Sequence, residues 1–469
     1  MSLRLKPYPE YKDSGVPWLG EVPEHWEVRR LKREAKINPS KLEATAALAV
    51  NVGVTFLPME RVGTEGQVDT CEVRPASSVW NGLTYFRRGD VLVAKITPCF
   101  ENGKGACLEA LPTDVGFGST EFIVLRPMAG LLPQFLYRIT TLPQFRTLGA
   151  DVMTGAAGQQ RVPQSFIADF LAPLPPLPEQ TAIVRFLDHA DRLIRRYIRA
   201  KRRLIELLSE QKQAIIQRAV TRGLDPNVRL KPSGVEWLDD FPEHWEVVRV
   251  KNEFRCLNHR RVPLSGTERG AMTSRQYDYY GASGIIDKVD QFLFDDELLL
   301  IAEDGANLVL RNLPLAIIAR GKFWVNNHAH ILKPKRGNLE YLASVMESLS
   351  YLPWISGAAQ PKLTQDRLMR IAIAVPPPEE QNQIIASVAT ETGSLRSAID
   401  RTNREIALLR EFRTRLIADV VTGKLDVRGV KLPQLEEAEE LAPLGKEIAD
   451  DATEAEDELE PVEESADAD

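Results

Sequence analysis

The chain of 469 residues has no run of about 18 apolar residues, so no segment is expected to cross a membrane as a helix. It has four cysteines, Cys71, Cys99, Cys107 and Cys256, and none forms a Cys-x-x-Cys pair. That argues against a disulfide scaffold or a zinc ribbon, and a reduced, cytoplasmic compartment is the expectation. The opening "MSLRLKPYPEYKDSG" has no apolar core, so no secretory signal is expected. The vocabulary of catalysis is also thin. Gly103-Lys104, Gly321-Lys322 and Gly423-Lys424 lack the rest of a phosphate loop. There is no Asn-Pro-Pro-aromatic or Asp-Pro-Pro-aromatic tetrapeptide and no dinucleotide fingerprint. Glu34-Ala35-Lys36 and Glu210-Gln211-Lys212 match the tail of a nuclease-like E-x-K without an upstream Asp. His328 and His330 share a strand face but have no Cys or carboxylate at metal spacing. No Ser/His/Asp constellation follows from spacing, so an enzyme is not expected.

What is present reads as a globular protein of two to three domains, 43% hydrophobic and 27% charged. The net charge of −7 hides an imbalance. Residues 433–469 hold 16 Asp and Glu against one Lys, a net of −15, which leaves +8 on the rest. A mildly basic body suits a polyanionic partner. The tail reads as a disordered solubilising extension, with a regulatory or DNA-mimicking segment as the alternative.

The body is written twice. "SGVPWLGEVPEHWEV" (14–28) returns as "SGVEWLDDFPEHWEV" (233–247), 219 positions on. "PLPEQTAI" (176–183) returns as "PPEEQNQI" (377–384), and "AVTRGLD" (219–225) as "VVTGKLD" (420–426), both 201 positions on. "TGAAGQQ" at Thr154 has a weaker echo, "SGAAQPK", at Ser356. Prolines before and glycines after the spans Pro178–Arg222 and Glu379–Thr422 predict two long helices of about 65 Å. Ile183, Leu187, Ala190, Ile194, Tyr197, Leu204, Leu208 and Ile215 follow 4–3 spacing in the first. Ile385, Val388, Leu395, Ile399, Ile406, Leu409, Leu416 and Val420 form a seam in the second. Two matching seams predict an antiparallel coiled coil. The regions before each helix carry short strands broken by Gly, Pro and Asn. "DVLVAK" (90–95) aligns with "ELLLIA" (297–302), and "FIVLRP" (122–127) with "AHILKP" (329–334), at 207 positions. Beside these strands the polar residues differ: "ITPCFENGK" against "EDGANLVLR", and "STE" against "NNH". The scaffold repeats and the rim changes. The fold class is α+β with a pseudo-twofold internal repeat.

The duplicated order of "SGVEWLDDFPEHWEV", a β-rich variable region, "PPLPEQTAIVRFLD" and "LLSEQKQAIIQRAVTRGLD" resembles the specificity subunit of type I restriction-modification systems. "GDVLVAKITPCFENGKGAC" with "GFGSTEFIVLRP", and "EDGA" with "WVNNHAHILKP", are similar to its target-recognition domains. The resemblance implies two β-rich target-recognition domains separated by two long antiparallel helices. The implied layout is a first recognition domain with its entrance motif (1–150), a first spacer (151–226), a second recognition domain (227–352), a second spacer (353–426) and the tail (427–469). It implies a non-catalytic DNA reader, each domain reading half of an asymmetric bipartite site while the coiled coil sets the gap. Half-sites on one DNA face lie about one helical turn, roughly 34 Å, apart. The implied partners are double-stranded DNA, two modification (methyltransferase) subunits and restriction/translocase subunits. S-adenosylmethionine, ATP and magnesium belong to those partners, with no cofactor or metal in this chain.

On that basis, and from the hydrogen-bonding habits of bases, the candidate DNA-binding residues in the first domain are Lys95, Thr97, Glu101, Asn102, Lys104, Ser119, Thr120 and Glu121. In the second they are Arg275, Tyr279, Tyr280, Ser283, Glu303, Asp304, Asn307, Asn326, Asn327, His328 and His330. Gln159, Gln160, Arg161 and Lys362, at the junctions with the helices, are phosphate candidates. The basic run from Arg192 to Arg203 reads as a solvated helix face or a docking surface. Trp18, Trp26 and His25, with Trp237, Trp245 and His244, read as plugs anchoring each reader to the helices. The rival readings are a coiled-coil scaffold without sequence readout and a chain with its own cryptic nuclease or methyltransferase activity.

Overall fold

The computed structural model describes residues 5–432, apart from 157, 236–239, 312 and 358–360. The acidic tail and Trp237 lie outside the described residues. The chain divides into two compact units. Of the described residues, 5–199 and 405–432 form the first unit and 200–404 the second.

The two long helices run Leu177–Arg222 and Pro378–Val421, within one residue of the sequence expectation. Each ends at a glycine in the left-handed region, Gly223 at φ +73° and Gly423 at φ +80°, a conformation that other residues adopt at a cost. Both units contain a start and an end. In the first unit Ile183 and Leu187 share a core with Leu416 and Val420, and Arg413 Nε donates to Asp191 Oδ1 at 2.9 Å. In the second, Ala219 and Val220 share a core with Ile384 and Val388. The helices are therefore antiparallel. The seam expected along the first is not continuous: Tyr197 is 60% exposed and Leu204 43%. A straight helix drifts from a 3.5-residue repeat, and the buried residues cluster at its two ends, Ile183 to Ile194 and Ala219 to Val220.

In the first unit, strands pair in the order Ala35–Ile37, Phe122–Pro127, Val91–Ala94, Gly105–Cys107, all antiparallel. A second sheet orders Val73–Pro75, Gly53–Leu57, Val115–Gly118 and Thr84–Arg87. The second unit has one sheet of six, Phe254–Cys256, Ala329–Pro334, Phe294–Ala302, Ala316–Val325, Tyr277–Tyr280 and Ile285–Val289. Its first three strands match the first three of unit one. The match corrects a register. Val91 faces Leu125, whereas Leu299 faces Leu332. Val91–Ala94 thus corresponds to Leu299–Ala302, 208 positions on, one more than the sequence alignment of "DVLVAK" with "ELLLIA". A one-residue slip would turn each side chain to the other face, so only the ladder decides it.

A carboxylate ties each entrance motif to a helix start, buried in the first unit and half-buried in the second. Glu179 accepts from Trp26 Nε1 at 2.9 Å and from the Tyr8 hydroxyl, and lies 2.8 Å from His25 Nε2. In the second unit Glu380 accepts from Trp245 Nε1 at 3.1 Å and lies 2.7 Å from His244 Nε2. A carboxylate in the first turn is favoured by the helix dipole. The next residue locks the strand-to-helix corner: Gln180 accepts from Leu132 N and donates to Gly130 O and Pro175 O, each at 2.9 Å. Gln381 accepts from Asn338 N at 2.8 Å and donates to Pro376 O at 3.0 Å. Beside it, Glu27–Arg30 pairs with Leu171–Leu174, and Glu246–Arg249 with Ala372–Val375 in the same register. Trp18 stacks on Phe170, ring centroids 5.1 Å apart.

Glu179→Ala is expected to lower stability by about 2–4 kcal/mol, since two or three buried donors lose their acceptor. Urea unfolding of the full chain measures it. A cost below about 0.5 kcal/mol would mean that the node is not what fastens the motif.

Candidate nucleic-acid interface

At one end of the shared three strands, a loop returning from the helical region adds a short ladder. In the first unit Lys95 N donates to Glu121 O at 2.8 Å, and Val162 N donates to Lys95 O at 2.8 Å. Arg161 and Thr154 exchange backbone bonds of 2.9 and 3.1 Å. In the second unit Glu303 N donates to His328 O at 2.9 Å, and Leu363 N donates to Glu303 O at 2.7 Å. Lys362 and Ser356 exchange bonds of 2.8 and 2.9 Å. Backbone bonding therefore equates Lys95 with Glu303, Glu121 with His328, and Arg161 with Lys362.

The side chains on this shared frame differ. Arg161 forks onto Glu121 with two bonds of 2.9 Å, and that pairing holds the Glu121 carboxyl below its ordinary range. In the second unit Lys362 lies 3.3 Å from Glu303, Arg261 also bonds Glu303, and His328 Nδ1 lies 3.0 Å from Asp304. Although burial pushes upward, Arg261 and Lys362 hold Glu303 below the ordinary range.

The structure brings some candidates together and separates others. Lys95 and Thr120 line a hollow of about 250 Å³ with Asn38, Lys41, Thr84 and Tyr85. Ser119 and Glu121 flank it, the Ser119 hydroxyl accepting from Glu121 N at 3.2 Å. Thr97 is braced to the return loop, its hydroxyl donating to Gln160 O at 3.0 Å, and Gln159 is exposed beside it. Glu101 and Asn102 face a different cleft, lined by Arg146 and Arg413. Lys104 is half-buried where the loop rejoins its strand, its carbonyl accepting from Ala94 N at 2.9 Å. In the second unit Asn327 is exposed, and Ser283 is half-buried in the turn after Tyr277–Tyr280. Arg275 sits beyond the other end of that strand, 3.5 Å from Asp287.

Five candidates are engaged within the fold. Tyr279 and Tyr280 are buried in hydrophobic clusters, the Tyr279 hydroxyl accepting from Leu264 N at 3.0 Å. An aromatic pair on adjacent strand positions fills two faces of a sheet as well as it stacks on a base. Asn326 is buried and accepts from His328 N at 2.8 Å. Asn307 closes its own loop, both amide atoms bonding Leu313 backbone at 2.9 and 3.0 Å. His330 is fully buried between Leu363 O, 2.6 Å from Nε2, and Asn258 Nδ2, 2.8 Å from Nδ1. Those partners fit the neutral ring protonated on Nε2, and burial holds its pKa below the ordinary histidine value.

Asn38 and Asn258 escaped the sequence reading. Asn38 Oδ1 accepts from Val124 N at 2.9 Å and its Nδ2 donates to Gln164 Oε1 at 3.1 Å. Asn258 makes the same two bonds, to Ile331 N at 2.9 Å and Gln365 Oε1 at 3.0 Å. The signal was available: each Asn follows an aliphatic residue 220 positions from its twin, and the glutamines are 201 apart. The E-x-K match is likewise scaffold, Glu34 pairing with Arg29 at 3.0 Å and its twin Glu253 with Arg336 at 2.7 Å. Among the described residues no group of three or more His, Cys, Asp and Glu is arranged to hold a metal ion, and no helix is long and apolar enough to cross a membrane.

A family model described as the type I restriction modification DNA specificity domain matches residues 23–206 and 242–392, one copy per repeat. The chain belongs to this family. Within this family it is 37% identical over 184 residues to the specificity subunit of the type I restriction enzyme EcoAI from Escherichia coli, covering 39% of this chain and 30% of that relative. It is 40% identical over 167 residues to the EcoEI specificity subunit of the same species, covering 35% and 27%. The matched stretches thus span under a third of those two relatives. A chain from a solved structure concerning assembly and conformational transition of the type I R-M system superposes with a TM-score of 0.58 at 18% identity, covering 86% of this chain and 99% of that one. That likeness is one of fold.

The neutral, buried His330 makes a pH prediction. Its folded pKa lies below the ordinary value of about 6.5, so the unfolded chain binds more protons as pH falls below that value. Stability is then lost on acidification from pH 7 to 5, and Glu303, itself held low, extends the loss at lower pH. His330→Gln is expected to flatten the pH 7-to-5 portion of the thermal unfolding midpoint. An unchanged slope would place the acid sensitivity elsewhere.

Proposed function

We propose that this chain is a sequence-reading, non-catalytic subunit of a type I restriction-modification complex. Each unit offers one double-stranded DNA half-site a differently charged rim, and the antiparallel helices set the spacing. One observation carries the reading. The same backbone bonds present Lys95, Glu121 and Arg161 in one unit and Glu303, His328 and Lys362 in the other. A repeat kept for folding alone has no need to exchange charge at matched places. A repeat that reads two base sequences needs such an exchange, because each base pair shows its own donor and acceptor pattern in the major groove. Family membership supports the same reading.

The partners proposed are two modification subunits and the restriction/translocase subunits, which supply S-adenosylmethionine, ATP and magnesium. The exposed Tyr197, Leu408 and Phe412 on the long helices suit docking of such subunits better than contact with DNA. The compartment proposed is the cytoplasm.

Exchanging residues 29–150 for the corresponding segment of another member is expected to change one methylated half-site and leave the other half and the gap unchanged. Methylome sequencing of the host reads all three at once. A change in both halves, or in neither, would falsify the division of labour. Lys95→Ala, in the assembled complex, is expected to cost about 1–3 kcal/mol of DNA affinity if the side chain reaches a base edge, with relaxed selection at one position of that half-site. A competition assay against singly substituted duplexes measures both.

A further inference from the structure

The first unit holds a cleft of about 410 Å³ whose walls include Arg138, Arg146 and Arg413. Its carboxylates are already shared. Asp191 receives Arg138 at 2.7 Å and Arg413 at 2.9 Å. Asp188 receives Arg138 at 2.7 Å. Glu65 receives Arg413 at 2.7 Å and Arg195 at 3.4 Å. Arg146 is left over: its Nε is sealed from solvent and has no hydrogen-bond partner. Its guanidinium lies against Gly103, where an added Cβ would fall 2.1 Å from Cζ. Arg146 belongs to the first turn of the helix Pro143–Asp151, whose cap residue Leu142 gives the first amides no side-chain acceptor. Glu101, exposed at the mouth, is the further acid lining the cleft. Burial pushes the Arg146 pKa down from the ordinary arginine value, and Arg413 adds to that push.

The second unit shows that the fold does not require this cluster. On the 201-residue shift that aligns both ends of the long helices, Asp188 and Asp191 correspond to Ala389 and Thr392. Thr392 is buried and satisfies itself by donating to Val388 O at 2.7 Å. The helices that carry Arg138 and its counterpart start after Leu132 and Asn338, a shift of 206 that puts Ser344 at the place of Arg138, its hydroxyl donating to Glu340 O at 2.8 Å. One repeat closes with apolar and self-satisfied side chains, and the other spends four arginines on three carboxylates. Leaving a guanidinium nitrogen buried and unpaired is costly, so its retention asks for a counter-ion.

We propose that this cleft binds a phosphate-class oxyanion, held by Arg146 and the open first-turn amides of the helix Pro143–Asp151. Planar guanidinium and helix-start amides suit a tetrahedral oxyanion. Two sources share that chemistry, free inorganic phosphate and a phosphate of the DNA backbone. The inference does not rest on DNA reading, because free phosphate tests it directly.

The full chain, in whatever complex it purifies, is titrated with sodium phosphate against sodium chloride at matched ionic strength, following the unfolding midpoint and heat of binding. A saturable stabilisation is expected. Arg146→Gln should weaken phosphate at least tenfold and Arg146→Lys should retain most of it. Without phosphate Arg146→Gln should unfold at the same temperature or higher, which separates loss of the site from loss of the fold. A second arm measures duplex binding across salt. If the DNA backbone is the source, Arg146→Gln weakens all sequences alike and reduces the salt slope by about 0.9, one phosphate contact. If free phosphate is the source, duplex binding is unchanged. A phosphate response equal in wild type and Arg146→Gln, or no response together with unchanged duplex binding, overturns the proposal.

Discussion

One carboxylate at the start of each long helix organises the molecule. Glu179 and Glu380 stand in the first turns of their helices and each binds an indole N–H and a histidine. The contact joins three stretches distant in sequence: the entrance motif, the proline corner and the helix. The Tyr8 hydroxyl joins the first node, and burial with the adjacent Glu179 pushes its pKa well up. The far wall is the glycine that ends the other long helix: a Cβ on Gly423 would lie 2.4 Å from Pro23 Cδ, and one on Gly223 would lie 3.4 Å from Trp245 Cζ2. Each entrance therefore packs at once on the start of one long helix and the end of the other. A tryptophan-histidine motif placed there twice is what an antiparallel pair of helices needs at its two ends.

Once those ends are fastened, the strands that follow inherit a fixed platform. Asn38 and Asn258 pin the same strand edge, and Gln164 and Gln365 hold those amides in turn. These repeated amides are spent on backbone or on one another. The groups that do not repeat stand at the platform's edge, Lys95, Glu121, Arg161, His328 and Lys362 partly or fully exposed and Glu303 buried among its cations. Buried polar groups must be satisfied, and that requirement preserves the platform. The rim, wetted by solvent, is free to vary, and variation there changes what is read without touching what holds the fold.

The arginine-rich cleft of the first unit departs from this division. It is buried like the platform yet unrepeated like the rim. Against the upward push of burial, the guanidiniums of Arg138 and Arg413 hold the Asp191 pKa low. A charged network of this size in one repeat, where the other uses Ala389, Thr392 and Ser344, is specialisation within a shared scaffold.

The sequence by itself determined the duplication, the two long helices to within a residue, the glycine ends, the proline starts and the placing of variability beside two strands. These are local or self-comparative signals: helix ends are written in prolines and glycines, and a repeat is visible without knowing what it packs against. Tertiary structure alone decided the rest. The strand shift of 208 rather than 207 depends on which backbone groups face each other across a ladder. Tyr279, Tyr280, Asn326 and His330 looked like readers because they are polar or aromatic beside a strand, and packing buried them, while Asn307 is spent on closing its own loop. Glu101 and Asn102 share a loop with Lys95 yet face another cleft. Tyr197 and Leu204 fit the heptad but lie exposed, because burial is set by what sits opposite a residue, and spacing along one helix does not carry that information.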